Sequence, residues 1–210
     1  MLGQFTGRNV PRIQRLGWGR MWIARRRNIY TYEGEPWGFD NGAYGDYLAG
    51  REFDERLFLK AFDRAVVVDS LPTVAVLPDK VGGGAQSLDM SLGWIEKLDV
   101  PVGWPWYLAV QDGMEPGSFV VPNGVVGIFL GGTNEYKARA GEWCEWAHSQ
   151  GLRFHYGRAG IAEKIAHALD VGADSLDSAF PMWTMTRWRF FEECITQGPP
   201  QGDLFRGAVE

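Results

Sequence analysis

Residues 152–180, LRFHYGRAGIAEKIAHALDVGADSLDSAF, decide the fold. The opening LRFHYGRAG reads as a mostly apolar strand that closes on glycine and arginine. The middle, IAEKIAHALDVGA, places Ile161, Ile165 and Leu169 four apart, the spacing of one helix face. The end, DSLDSAF, returns to a strand. Strand, helix and strand in succession, repeated along a chain whose other strands are near-continuous apolar runs, predict parallel strands covered by helices. The last strand also carries Asp174 and Asp177, and burying a carboxylate costs several kcal/mol unless it is paired or put to use. Either the run ends in a solvated loop or one of these acids is there for chemistry.

The same alternation continues outward. NIYTYE (28–33), TVAVLPD (73–79), WYLAVQDG (106–113) and GVVGIFLGG (124–132) read as strands, and WGFDNGAYGDY (37–47) as a strand end running into a loop. DERLFLKAFDRA (54–65), SLDMSLGWIEKL (87–98, behind a Ser87 cap) and EYKARAGEWCEWAHSQ (135–150) read as helices. About seven strand–helix units, with an eighth strand left open, favour a compact α/β (β/α)8 TIM-type barrel over a doubly wound sheet. No GxGxxG follows an early strand, which weakens the dinucleotide-binding option. A chain of 210 residues suits one domain. Residues 1–30 form a basic N-terminal arm or the first barrel segment, 31–197 the barrel, and 198–210 a tail.

With 45% apolar and 22% charged residues, the composition is that of a soluble globular protein. No apolar run reaches membrane-spanning length, and the N-terminus lacks a signal peptide's apolar core, so a cytoplasmic protein with no membrane partner is expected. Cys144 and Cys194 have neither CxxC spacing nor an obvious bridging role. Residues 1–30 hold seven arginines and no acid, and the net charge of −5 leaves −12 on the remaining 180 residues. Such a basic segment suits a phosphate backbone, or is a solvated strip with nothing bound. The ten tryptophans can stack on bases or fill the core.

Parallel barrels keep their chemistry at the C-terminal ends of the strands. Those ends read Asp40-Asn41-Gly42, Asp79, Gln111-Asp112-Gly113, Gly131-Gly132, His155-Tyr156-Gly157-Arg158 and Asp177. Each alone is an ordinary turn residue; together they form a ring of carboxylates, amides and glycines. One carboxylate can attack a sugar's anomeric carbon while another handles the proton. Asp and Gln can read the edge of a flat heterocycle. Nothing in the spacing asks for a metal or a cofactor. His155 reads either as a substrate contact or as a satisfied structural histidine, His148 as facing the carbonyls of its helix end, and His167 as surface.

The order of these motifs resembles the tRNA-guanine transglycosylase family, and within it the short phage-encoded relatives associated with 7-deazaguanines in DNA. FDNGAYGDY stands where the family has its Asp-Ser-Gly-Gly-Phe-Gln loop, VLPDKV where it has a base-reading Asp, and LAVQDG where it has a Val-Gln-Gly-Gly strand end. GIFLGGTNEYK matches its Gly-Gly segment, and residues 154–180 match the stretch that ends in its nucleophile. The resemblance implies exchange of guanine for a 7-deazaguanine-type base in a polynucleotide, DNA in preference to tRNA, through a covalent aspartyl–ribosyl intermediate. Asp177 would be the nucleophile and Asp40 the second acid. Asp79, Gln111, Gly131, Gly132 and Tyr44 would bind the base, and Asp174 would be a structural partner, of Arg158 for instance.

Arg25, Arg26, Arg27, Arg158, Arg187 and Arg189 would contact phosphates, with Trp183 or Trp188 available to stack. A free 7-deazaguanine base is the second partner, a homodimer is in keeping with the family, and a phage protein would work in its host's cytoplasm. The sequence also departs from the family. Only Cys194 follows Asp177, so the Cys-x-Cys-x-x-Cys…His zinc subdomain is absent, which argues against the usual tRNA recognition. Asp79-Lys80 replaces Asp-Glu-Cys. Two other readings stay open: a nucleoside or base glycosylase that uses water, and a barrel that only binds a purine or nucleotide.

Overall fold

A computed structural model describes residues 2–3, 15–25, 31, 34–98 and 103–197. The elements run β1 (Leu2–Gly3), β2 (Gly19–Ile23), β3 (Trp37–Asp40), α1 (Ala43–Leu48), α2 (Glu55–Ala65), β4 (Val74–Val76), α3 (Ala85–Lys97), β5 (Trp106–Val110) and β6 (Val125–Leu130). They continue with α4 (Asn134–Lys137), α5 (Ala140–Ser149), β7 (Arg153–Tyr156), α6 (Ala162–Asp170), β8 (Ser175–Leu176), a 3-10 turn (Phe180–Met182) and α7 (Met185–Gln197). Each strand pairs in parallel with the next, in sequence order.

Both faces of the sheet are buried, which is why its strands read as continuous apolar runs. Side chains alternate along a strand. One set, including Phe39, Leu108 and Ile128, packs under the helices with Phe58, Phe62 and Trp94. The other, Met21, Val74, Val76, Tyr107, Ala109 and Phe129, forms a smaller inner cluster. Local chemistry sets the helices in place: Asp54 caps α2 by accepting from Leu57 N at 2.9 Å, and Phe58, Ala61, Phe62 and Ala65 turn inward.

The sheet curls. Four strand spacings separate β3 from β7, about 19 Å if flat, yet the Arg158 guanidinium just after β7 lies 3.8 Å from the ring centre of Tyr44 on α1. The expected closed eight-stranded barrel is corrected: among the described residues no backbone pairing joins β8 to β1. The two edge strands have two residues each, too few for a closing ladder. Side chains of α7 bridge toward the other edge instead, with Trp188 and Phe191 at 5.1 and 4.7 Å from Trp18, which precedes β2.

Several local readings change as well. Within the segment read as a basic arm or the first barrel segment, GRMWI is a sheet strand, and Arg20 is locked to the buried Glu35 by hydrogen bonds of 2.7 and 2.6 Å. The run after Asp40 is the helix α1, not a loop. Residues 135–150 hold two helices, the strand in DSLDSAF is only Ser175–Leu176, and Arg187–Arg189 belong to α7. Ser87 is not a cap, because α3 begins at Ala85 with Gly84 at its N-cap. Of NIYTYE only Thr31 is among the described residues, and it is in no strand. No helix among the described residues is long and apolar enough to cross a membrane.

Candidate active site

The alternation that turns the buried Ala109 and Phe129 and the half-buried Ser175 to the inner face puts Gln111, Gly131 and Asp177, two residues on, in the layer above them. A pocket of about 460 Å³, counting its open mouth, lies at this rim. Asp40, Tyr44, Asp79, Gln111, Gly131, Gly132 and Arg158, all singled out in the sequence, line it.

One side of the rim is a hydrogen-bonded network. Asn41 donates through Nδ2 to Leu77 O at 2.6 Å and to Asp79 Oδ1 at 2.8 Å, while its Oδ1 accepts from Ala43 N at 2.8 Å. Gln111 Nε2 contacts Asp79 Oδ2 at 3.1 Å, Lys80 O at 2.9 Å and Ser87 Oγ at 2.6 Å, and its Oε1 accepts from Gly82 N. The Gln111 amide is therefore satisfied within the protein: it orients Asp79 rather than offering a free edge. Asp40 accepts from Gly42 N at 2.7 Å. Burial, then the charges of Asp177 and Asp79, push the Asp40 carboxyl up to about 7, against the opposing Gly42 N–H and Arg158. Burial likewise raises Asp79, despite the donors Asn41 and Gln111.

The other side is charged. Asp177 Oδ1 lies 3.1 Å from His155 Nε2 and accepts from Arg158 N at 3.0 Å. His155 is fully buried, stacked on Phe129 at 4.8 Å, with Nδ1 2.7 Å from Ser175 Oγ. Burial alone would raise Asp177, but His155, the Arg158 N–H and Lys137 outweigh it and hold the carboxylate below its usual range. Burial lowers His155, so the imidazole is neutral. A neutral ring facing a carboxylate carries its proton on Nε2 and accepts from the Ser175 hydroxyl at Nδ1.

Two glycines and one strained residue make this geometry fit. A Cβ on Gly157 would lie 2.5 Å from the Phe129 ring that supports His155, and one on Gly132 would lie 2.7 Å from Asp112 Oδ2. Arg158 is the one non-glycine with positive φ (55°) among the described residues. That conformation turns its N–H to Asp177 while its Nη2 reaches Gly132 O at 2.9 Å. Strain of this kind collects at functional sites.

Other candidates fall elsewhere. Gly131 N donates to Val110 O at 2.8 Å, so only Gly132 of the pair keeps an N–H without an acceptor among the described residues. Arg25 is committed to Asp46, which also takes Arg51 at 3.2 Å, and is not a free phosphate contact. Arg26 and Arg27 lie outside the described residues. Arg187 lies 4.6 Å from the ring centre of Trp183, which is 60% exposed, while Arg189 is exposed on α7. Trp188 is buried and cannot stack on a ligand. Asp174 partners Phe154 N at 2.7 Å and His148 Nε2 at 2.9 Å, not Arg158. That pairing also takes His148 away from its helix end. His167 is half-buried against Tyr156.

Sequence reasoning placed Asn41 only among the rim residues and Ser87 only as a helix cap, and gave Lys137 no role. Polar residues in turns and on helices read as solvated, and only the folded contacts reveal that these are buried. No family model, curated protein or solved structure matches this chain.

Proposed function

We propose that this chain is a pentosyltransferase that exchanges a guanine-type base in a polynucleotide, DNA in preference to tRNA, for a free 7-deazaguanine-type base. The observation that carries the reading is the split between two neighbouring carboxyls, Asp40 held near neutrality and Asp177 held ionised. Such a split assigns one as acid and the other as nucleophile.

In this reading the target nucleotide is extruded into the rim pocket. The edge of its base meets Asp79, which Asn41 and Gln111 hold in place, and its carbonyl meets the Gly132 N–H. The free oxygen of Asp177 attacks the sugar C1′ as the C1′–N bond breaks, and the bond's electrons leave with the base. Asp40 donates the proton that makes the leaving base neutral. The incoming base then gives its proton to the Asp40 carboxylate, and its nitrogen displaces Asp177 from C1′. His155 and the Arg158 N–H hold one Asp177 oxygen, leaving the other for attack.

The test is covalent trapping. The full chain is mixed with guanine-containing DNA or tRNA, quenched in denaturant and weighed by mass spectrometry beside Asp177→Asn. An adduct mapped to Asp177 on wild type alone is expected, larger with DNA. Base release that needs no second base would make the protein a hydrolase. A retained purine without any adduct or release would make it a binding protein.

A further inference from the structure

The rim carries a second depression, next to the base pocket, sharing Tyr44, Gln111, Gly132 and Arg158 with it and enclosing about 1110 Å³ with its open mouth. Its distinguishing feature is positive charge. Lys137 from α4, Arg158 from the turn after β7 and Lys164 from α6 all line it. None of the three has a carboxylate within salt-bridge distance among the described residues.

Lys137 is the least expected of them. It is 2% exposed, its Nζ donates to Gly157 O, and it lies 5.0 Å from the ring centre of Tyr156. A charged ammonium has three donors, and one carbonyl with one ring face replaces little of its lost hydration. Burial, followed by repulsion from Arg158 and Lys164, pushes Lys137 down to about 7, with Asp177 opposing. Burial and Arg158 also lower Lys164. Two acids share the pocket with the three cations: Asp112, which accepts from Thr133 N and Oγ1 at 2.8 and 2.5 Å, and the exposed Glu135, neither within salt-bridge distance of them. Arg158, fixed on the Tyr44 face and at Gly132 O, has guanidinium N–H groups left over, and Lys164 has no hydrogen-bond partner at all among the described residues. An anion seated among the three would satisfy all of them at once.

We propose that this second pocket is a phosphate subsite, in which Lys137, Arg158 and Lys164 hold the phosphate attached to the nucleoside whose base fills the neighbouring pocket. The link to a nucleoside rests on the function proposed above; the anion site does not. The phosphate is either an internucleotide diester or the 5′-phosphate of a free nucleotide.

Isothermal titration calorimetry on the full chain tests this with guanosine, guanosine 5′-monophosphate, a five-nucleotide single strand containing guanine, and pyrophosphate. The proteins are wild type, Lys164→Gln and Lys137→Met, each checked for fold by circular dichroism. On wild type, at least one phosphorylated guanine probe should bind about tenfold or more tighter than guanosine. Lys164→Gln should remove most of that advantage and leave guanosine unaffected. A gain with the mononucleotide identifies a terminal phosphate, and a gain with the strand alone identifies a diester; both support the subsite. Equal affinity for guanosine and every phosphorylated probe on wild type overturns it, as does an advantage that survives both substitutions. If no purine binds, the proposed function falls by itself. Pyrophosphate binding that Lys164→Gln abolishes would still support the anion site, and its absence from wild type would overturn that too.

Discussion

On the β3–β5 side of the rim, Asp40 and Asp79 lie among amides and backbone groups, whereas on the β7–β8 side Asp177 lies beside a histidine, a strained arginine's N–H and a lysine. All three carboxyls are desolvated, yet the first two are raised and the third is lowered. Burial alone favours the neutral acid; burial beside polarised donors and a cation favours the carboxylate. One small rim thus supplies both a proton donor and an anion, because its two sides differ in partners rather than in residue type.

The largest effect should come from Asp177→Asn, which erases the charged side's one anion. Turnover should fall by about 10⁴-fold or more, since the proposed nucleophile is gone. Retention of activity within tenfold of wild type, in steady-state base exchange, would remove Asp177 from the nucleophile's role.

Gln111→Leu attacks the opposite side. It leaves Asp79 Oδ2, the Lys80 carbonyl, the Ser87 hydroxyl and the Gly82 N–H without their common partner. Urea unfolding should show a loss of about 2–4 kcal/mol. A loss below about 1 kcal/mol would mean that the network is not what holds this side together.

Asp40→Asn sharpens the contrast through pH. The folded protein binds a proton at Asp40 up to about pH 7, the unfolded chain only up to about 4. Asp40's contribution to stability is therefore fully present below about pH 4 and is lost as pH rises to about 7. The substitution should make the protein about 1–3 kcal/mol more stable than wild type at pH 8 and close to it at pH 4. It should also lower the exchange rate, since the proposed proton donor is gone, and leave what rate remains without a dependence on pH around 7. An unchanged pH–stability curve would place Asp40 in water rather than in the desolvated rim.

The smallest effect is expected from His155→Gln compared with His155→Leu. Glutamine keeps a donor toward Asp177 and leucine does not. The Asp177 carboxyl, followed by carbon-13 NMR, should titrate higher in the leucine variant and near wild type in the glutamine variant. The stabilisation that Asp177 contributes is present above its unfolded pKa and lost as pH falls through its depressed folded value. In His155→Leu that stabilisation is smaller and its loss is complete at higher pH. Identical titration in both variants would mean that His155 does not hold the charge.

Much of this arrangement was legible before folding. Apolar strands closing on Asp40, Asp79, Gln111, Gly131 and Asp177 announced both the parallel sheet and the rim that gathers them. The strand at Gly19–Ile23 was not delimited because its arginines left an arm and a first barrel segment equally open, while Arg20 is neutralised by Glu35, fifteen residues away. Lys137 read as a solvated helix position. Asp174 and Asp177, three residues apart, were told apart only by the resemblance, and they fold to different ends: one ties β7 to His148, the other lies against His155 and the Arg158 N–H.

The chain by itself determined the period of most of its strands and helices, because hydrophobic spacing is a local property. Only the tertiary structure decided which carboxyl is neutral, which is ionised and which cations are left without a carboxylate. Those outcomes depend on desolvation and on charges brought together from β3, β4, α4 and β7 across distances that no local pattern encodes.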